Sequence, residues 1–293
     1  MEKKVRVLKK GDMITELIKD IELNITGIFE KVIDLNWKPG CGLALVAKNK
    51  IMAPYHIQVD PFVEALDPER DRVWIKDKKL YIAEKFVIDL QEGKRWSGKL
   101  KDYHLLSPGS NQIHSRVEQM VDYLRKMPDK TGLARLIYYW PYFLSQKRKE
   151  EIKDENIINR KVYQILKEFW REDNFARLSS LIGLGIGLTP SADDFLVGFL
   201  SVLYYYQSPE LAKIDKLTGE KNYSRTTPVS AVALRAALRG SFNEKIVNLY
   251  LSLDKGRDQL TKALDKMRTT GSTSGLDMLS GIIFGFLYIL HNK

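Results

Sequence analysis

The spacing of apolar residues changes once along the chain, and that change limits the fold more than any other feature. Up to about residue 106, segments such as "IFEKVIDL", "CGLALVAKN" and "RVWIKDKKLYIAEKFVIDL" are short and rich in Val, Ile, Leu and aromatics. Gly, Pro, Asn and Asp punctuate them, which is how strands read. "IKDKKL" predicts a tight turn between Val73-Trp74-Ile75 and Leu80-Tyr81-Ile82. Repeated short strands of this kind predict a small barrel or sandwich. In "LLSPGSNQIHSR", Pro108, Gly109, Ser110 and Asn111 interrupt any regular element. Beyond it "HSRVEQMVDYLRKM", "KVYQILKEFWREDNFARLSSLI", "SAVALRAALRG" and "EKIVNLYLSLDK" carry apolar residues at helical spacing. The expected class is therefore α+β. A β-rich barrel or sandwich over 1–106 precedes a helical bundle over 107–293 that carries the glycine-rich motifs.

Composition narrows the setting. The 293 residues are 44% hydrophobic and 29% charged, enough for a full core and inconsistent with a disordered chain. A single cysteine, Cys41, excludes an internal disulfide and fits a reducing compartment. The N-terminus has basic residues but no continuous apolar core, so it does not read as a signal peptide. "FLVGFLSVLYYY" and "LSGIIFGFLYIL" fall short of the ~20 residues of a bilayer span and read as buried helices. A cytoplasmic protein without a membrane partner is expected. The net charge of +10 is dispersed, and runs such as "QKRKEEIKDENIINRK" mix acids with bases. That pattern describes solvated helix faces better than a nucleic-acid footprint. His56, His104, His114 and His291 are scattered without zinc-ligand spacing, although His104 and His114 flank the predicted boundary. Cys41, in "KPGCGLALV", reads as a buried strand residue.

One motif repeats. "SADDFLVGFL" (191–200) is echoed by "SGLDMLSGII" (274–283). Ser191 and Ser274 precede Asp194 and Asp277 by three residues, and Gly198 and Gly281 follow those aspartates by four. Ser-x-x-Asp before an apolar run resembles a capping box, and Thr189-Pro190 offers a rival helix start. Mid-helix glycines cost ~1 kcal/mol each relative to alanine, which close approach of two helices offsets. Capping leaves Gly183, Gly185 and Gly187 and the second acid unexplained. Alternating glycines that let backbone N–H groups converge at a helix N-terminus make an anion site. Adjacent aspartates on a helix diverge by about 100°, so one of Asp193 and Asp194 can cap while the other faces a ligand, Mg²⁺ or a basic group. "RGSFNE" (239–244) predicts a third capped start, with Arg235 and Arg239 on one face, able to meet a carboxylate or phosphate or to form a surface ion pair. "QSPELAKIDKLTGEKNYSRTTP" reads as a surface linker or a mobile lid.

"GLGIGLTPSADDFLVGFL" resembles the signature of a bacterial family that includes the AllH-type subunit of oxamate carbamoyltransferase, close to Gly-Leu-Gly-Pro-Gly-Leu-Thr-Pro-Ser-Gly-Asp-Asp before an apolar helix. Ile186 replaces the usual proline and Ala192 the usual glycine. "TTPVSAVALRAALRGSFNE" and "GSTSGLDMLSGIIFG" also resemble blocks of that family. The resemblance implies a subunit or relative of a carbamoyltransferase of allantoin and purine nitrogen catabolism. Such an enzyme combines this subunit with two others and interconverts oxalurate plus phosphate with oxamate plus carbamoyl phosphate. On that reading a small anion is held by Gly183, Gly185, Gly187, Thr189 and Ser191, with Asp193 and Asp194 available for Mg²⁺. Gly271, Ser272, Thr273, Ser274 and Asp277 form a facing wall, and Arg239 lies nearby. The partners expected are a small anionic substrate and other chains, as a hetero- or homo-oligomer. The alternative is a non-catalytic assembly subunit whose glycine-faced helices pack against partner chains.

Overall fold

The structure is a computed structural model describing residues 3–14, 20–100, 110–127, 131–140 and 154–291; His104, Pro108 and Gly109 lie outside the described residues. Nine strands come first: β1 (Lys3–Gly11), β2 (Ile21–Phe29), β3 (Val32–Lys38), β4 (Cys41–Ala47), β5 (His56–Asp60), β6 (Val73–Lys76), β7 (Lys79–Ile82), β8 (Phe86–Asp89) and β9 (Lys94–Trp96). Their order is β5-β4-β3-β2-β6-β7-β8-β1, and β5 pairs back onto β1. Eight strands thus close into a barrel rather than a sandwich. β1 makes closure possible because different parts of it serve different partners. Lys3–Val5 pair in parallel with β8, Arg6–Lys10 antiparallel with β5, and Lys9–Gly11 in parallel with β9. The predicted turn is present: Asp77 and Lys78 take φ of 49° and 62°, the left-handed pair that a two-residue hairpin requires. Alternate residues of the strands, among them Val5, Val7, Leu35, Leu43, Leu45, Ile57, Ile75, Leu80 and Ile88, fill the barrel.

The helical region contains α1 (Asn111–Lys126), α2 (Ile157–Glu172), α3 (Ser191–Tyr205), α4 (Glu220–Tyr223), α5 (Pro228–Ala237), α6 (Glu244–Ser252), α7 (Arg257–Arg268) and α8 (Ser274–His291). Short 3₁₀ segments cover Gly132–Tyr138, Phe175–Leu181 and Pro209–Leu217. The helical spacing read over 161–182 is interrupted at Asp173, which adopts a left-handed φ of 48°, and Asn174 then caps the 3₁₀ segment. The 207–228 segment, expected to be a linker or lid, forms local helix and buries Ile214, Leu217 and Tyr223. Asn243 rather than Ser241 caps α6, accepting from the Lys245 and Ile246 N–H groups. Ser241 instead donates to Asp12 of the barrel at 2.9 Å. More contacts tie the two halves together. The Glu244 carboxylate accepts from Met52 N–H at 3.0 Å, Glu244 N–H returns a bond to Met52 O at 2.9 Å, and Arg235 donates to Gly40 O and to Cys41 Sγ. β4 is buried along its whole length because α5 covers its outer face, with Val232 against Gly42.

The centre of the helical region is the pair α3 and α8. α8 is long and apolar enough to cross a membrane, but 78% of it is buried in the protein, beside Phe169, Phe195 and Phe199. A Cβ placed on Gly198 would fall onto the carbonyl oxygen of Met278, and one on Gly281 onto that of Phe195. Gly281 meets Phe195 and Phe199, and Gly285, one turn on, meets Phe199 and Val202, so the helices run parallel and in register. Both N-termini therefore end at one place. Gly198→Ala and Gly281→Ala are each expected to lower stability by about 1–3 kcal/mol, since backbone on backbone cannot yield as a side chain can. Gly285→Ala, which meets Val202 side-chain atoms at 2.8 Å, is expected to cost less. Urea denaturation midpoints of the three variants measure the ranking.

Candidate functional site

Register between α3 and α8 places Ser191 and Asp194 opposite Ser274 and Asp277. The serines do not cap their own helices. Pro190 occupies the N-cap of α3 and supplies no side-chain bond. Instead the bonds cross: Ser274 hydrogen-bonds Asp194 and Ser191 hydrogen-bonds Asp277. Thr189, the rival cap, joins its hydroxyl to that of Ser274 at 2.7 Å and also bonds Asp194. Thr273 and the Leu133 N–H, the latter at 2.6 Å, complete the partners of Asp277. Gly132, at φ 56°, lies so close over this carboxyl that a Cβ would strike it.

Asp193 and Asp194 point different ways, as their spacing predicts. Asp193 accepts from Gly183 N–H at 2.8 Å, from Ser230 Oγ at 2.7 Å and from Thr226 Oγ1. It pins the glycine loop to the start of α5, where Thr227 donates to Leu188 O at 2.5 Å. The glycines have separate reasons. All three adopt positive φ: 81° at Gly183, 137° at Gly185 and 92° at Gly187. A side chain at Gly183 would strike Arg225 O and one at Gly185 the Ser191 N–H, whereas Gly187 faces open space. Ile186 is 83% exposed at the tip, with Leu188 exposed beside it. Gly271 and Ser272 are also exposed, while Thr273 and Ser274 are half-buried at the start of α8. Arg239 lies on the surface away from this cluster, its carbonyl taken by Lys99 at 2.5 Å.

Burial governs the charges. It raises Asp193 above the ordinary carboxyl range, against the pull of Thr226, Gly183, Ser230 and Arg225. It raises Asp194 much further, helped by the neighbouring charges of Asp277 and Asp193 and opposed by Ser274 and Thr189. Asp277 is pushed up to about 6, again chiefly by burial. A fourth raised acid lies on the barrel side. Asp34, on β3, is also pushed up to about 6 by burial, and with Thr26, Tyr55, Pro228 and Val232 it lines a narrow cleft between barrel and α5. Tyr55, raised by its own burial, feels the charge of both Asp34 and Asp194 and so links the two halves of the site. His56 stands edge-on to Tyr55 with ring centroids 4.9 Å apart, its Nδ1 3.1 Å from Ile51 O, and burial holds it neutral, with its pKa near 4. Buried acids with displaced ionisation, gathered at one junction, mark a functional-site candidate. The sequence motif did not include Asp34, Tyr55, Thr226 or Ser230.

Among the described residues, no three His, Cys, Asp or Glu side chains assemble into a metal-holding group. The site thus belongs to an α+β protein with a closed barrel and a paired-helix core. Residues 181–286 match the family model described as oxamate carbamoyltransferase subunit AllH, the family that the glycine-rich motif resembles. The match begins just before the glycine loop and ends within α8, so it takes in both halves of the crossed Ser–Asp arrangement. No solved structure matches the chain.

Asp34 and Asp277 make stability depend on pH with a definite sign. Each binds its proton more tightly when folded, so the stability they contribute is full below about pH 4 and is lost as pH rises to about 6. Asp34→Asn is expected to flatten that part of the profile. Chemical denaturation of wild type and variant between pH 4 and 7 checks it; parallel profiles would show that Asp34 does not titrate in this range.

Proposed function

We propose that the chain is a subunit or relative of a carbamoyltransferase acting on oxamate, oxalurate and carbamoyl phosphate in allantoin and purine nitrogen catabolism. It works in the cytoplasm with other chains, and it binds a small anion at the glycine-rich starts of α3 and α8. The observation carrying this reading is that two parallel helices present their N-termini side by side, under two glycine-bearing loops, inside the segment that matches the AllH family model. Each helix start offers backbone N–H groups and roughly half a positive charge to an anion. Residues 185–191 and 271–274 are the segments whose N–H groups would meet phosphate or carboxylate oxygens. In a carbamoyl transfer, the same N–H groups would stabilise a developing oxyanion. Of the two aspartates proposed for Mg²⁺, only Asp194 keeps an oxygen without a partner, since Asp193 is turned inward to Gly183, Thr226 and Ser230.

The exposure of Ile186 at the loop tip favours a second reading, in which this edge contacts a partner chain and the subunit serves assembly. The two readings separate at Gly187, where a side chain meets open space. Gly187→Asn and Gly187→Asp impose the same backbone strain and differ only in charge. Oxamate, phosphate and carbamoyl phosphate, with and without Mg²⁺, are expected to raise the thermal midpoint of wild type and of Gly187→Asn but not of Gly187→Asp. Equal behaviour of the two variants, or no response from wild type, would remove the anion site.

A further inference from the structure

Asp34 is only 8% exposed, yet among the described residues no hydrogen bond or ion pair reaches its carboxyl. It is not sealed as Asp194 and Asp277 are, because it lines the cleft between the barrel and α5. Thr26, on the same cleft, spends its hydroxyl proton on the Asp34 backbone carbonyl at 3.2 Å, so its oxygen can only accept. The Tyr55 hydroxyl also lines the cleft and has no hydrogen-bond partner among the described residues. On the α5 side Pro228, Val229 and Val232 make the wall apolar. Gly27 lets the Phe29 ring lie beside the acid: a Cβ there would strike the ring edge and come within 3.4 Å of Asp34 Oδ2.

A buried carboxyl without a donor is rare, because its lost hydration is not replaced. The rise of Asp34 to about 6 is the response of an acid desolvated with no counter-charge beside it. The open space is about 220 Å³, below the roughly 300–1,000 Å³ of sites that enclose a drug-sized molecule. A short chain with a compact head fits it. We propose that this cleft binds a protonated primary amine carried on an aliphatic stem. An –NH₃⁺ head has three donors and no acceptor, which suits a place where the carboxyl, Thr26 and Tyr55 all accept. The charge on the head meets the carboxylate, and the Phe29 ring beside it adds attraction for a cation. The stem packs on Val229 and Val232. A free alkylamine and a lysine side chain of another protein share this chemistry. The inference is independent of the anion site, whose N–H groups belong to residues 185–191 and 271–274.

Thermal midpoints of the full chain, titrated at constant ionic strength with n-butylammonium, n-butyltrimethylammonium, n-butanol and sodium chloride, test this. A saturable rise is expected with n-butylammonium, at least about tenfold weaker with n-butanol, which lacks the charge, and with n-butyltrimethylammonium, which lacks the N–H donors. Asp34→Asn is expected to weaken the n-butylammonium response by at least about tenfold as well. Nα-acetyl-lysine methylamide separates the two sources: a response equal to that of n-butylammonium gives the cleft to a protein lysine, and none gives it to a free amine. No response of wild type to n-butylammonium overturns the inference. So does an equal response to n-butanol, to n-butyltrimethylammonium or to sodium, or an Asp34→Asn variant that behaves as wild type. Should Asp34→Asn not fold, as judged by circular dichroism, the comparison of the four solutes on wild type decides by itself. None of these outcomes bears on the anion site, which is read with phosphate and oxamate.

Discussion

Carbonyl oxygens of one helix lie against the glycines of another, and most of what surrounds the site depends on that approach. Gly198 lies on Met278 O and Gly281 on Phe195 O, and no larger residue fits either place without moving backbone. The contact sets α3 and α8 parallel, fixes their register, and carries both first turns into the interior. Once register is fixed, Ser191 faces Asp277 and Ser274 faces Asp194, and each helix start receives from its neighbour the polar partner that a capping box would have drawn from within. Desolvation of the acids follows from the same geometry, because carboxyls in the first turn of two closely packed helices cannot stay in water.

The barrel positions the other wall. A closed sheet has no free edge, so β4 and the loops beside it form a fixed surface on which α5 and the start of α6 rest. The paired bonds between Met52 and Glu244, one to the Glu244 carboxylate and one from its backbone N–H, and the Ser241–Asp12 contact hold α6 to that surface. α5 in turn supplies Ser230, and the residues before it Thr226 and Thr227, which hold Asp193 and Leu188. The glycine loop is thus tied to the barrel through one helix rather than directly. Tyr55, beside Asp34 in the cleft between barrel and α5, feels the charge of Asp194 across the same junction.

The sequence disclosed part of this. The change from alternating to helical spacing marked the strands and helices, and the β6–β7 turn was legible because its two left-handed residues stand between clear apolar runs. Closure of the barrel was not, since it depends on β1 pairing with β5, a contact between distant segments with no local signature. The Ser-x-x-Asp echo was visible, but its spacing is what a capping box within one helix also requires. Only the glycine contact, which aligns two helices, turns it into an exchange between them. The partners of Asp193 lie 33 and 37 residues downstream, Thr226 in the segment that read as a linker or lid and Ser230 at the start of one that read as helix, and no local pattern pairs either with Asp193. "RGSFNE" misled for a related reason: Ser241 and Asn243 are both good caps, and Asp12 of the barrel claims the serine.

Two parallel helix N-termini side by side bring like partial charges together, roughly half a unit each. The aspartates in their first turns offset that repulsion, which accounts for acids at this place even before any ligand is considered. Burial then limits how much charge they carry. Asp194 is raised well above the ordinary range, chiefly by burial, and Asp277 is raised to about 6 by the same cause. The partial positive charge of the helix starts and the burial of the acids oppose the negative charge of the aspartates together, which is how acids and exposed loop N–H groups come to occupy adjoining positions in one fold.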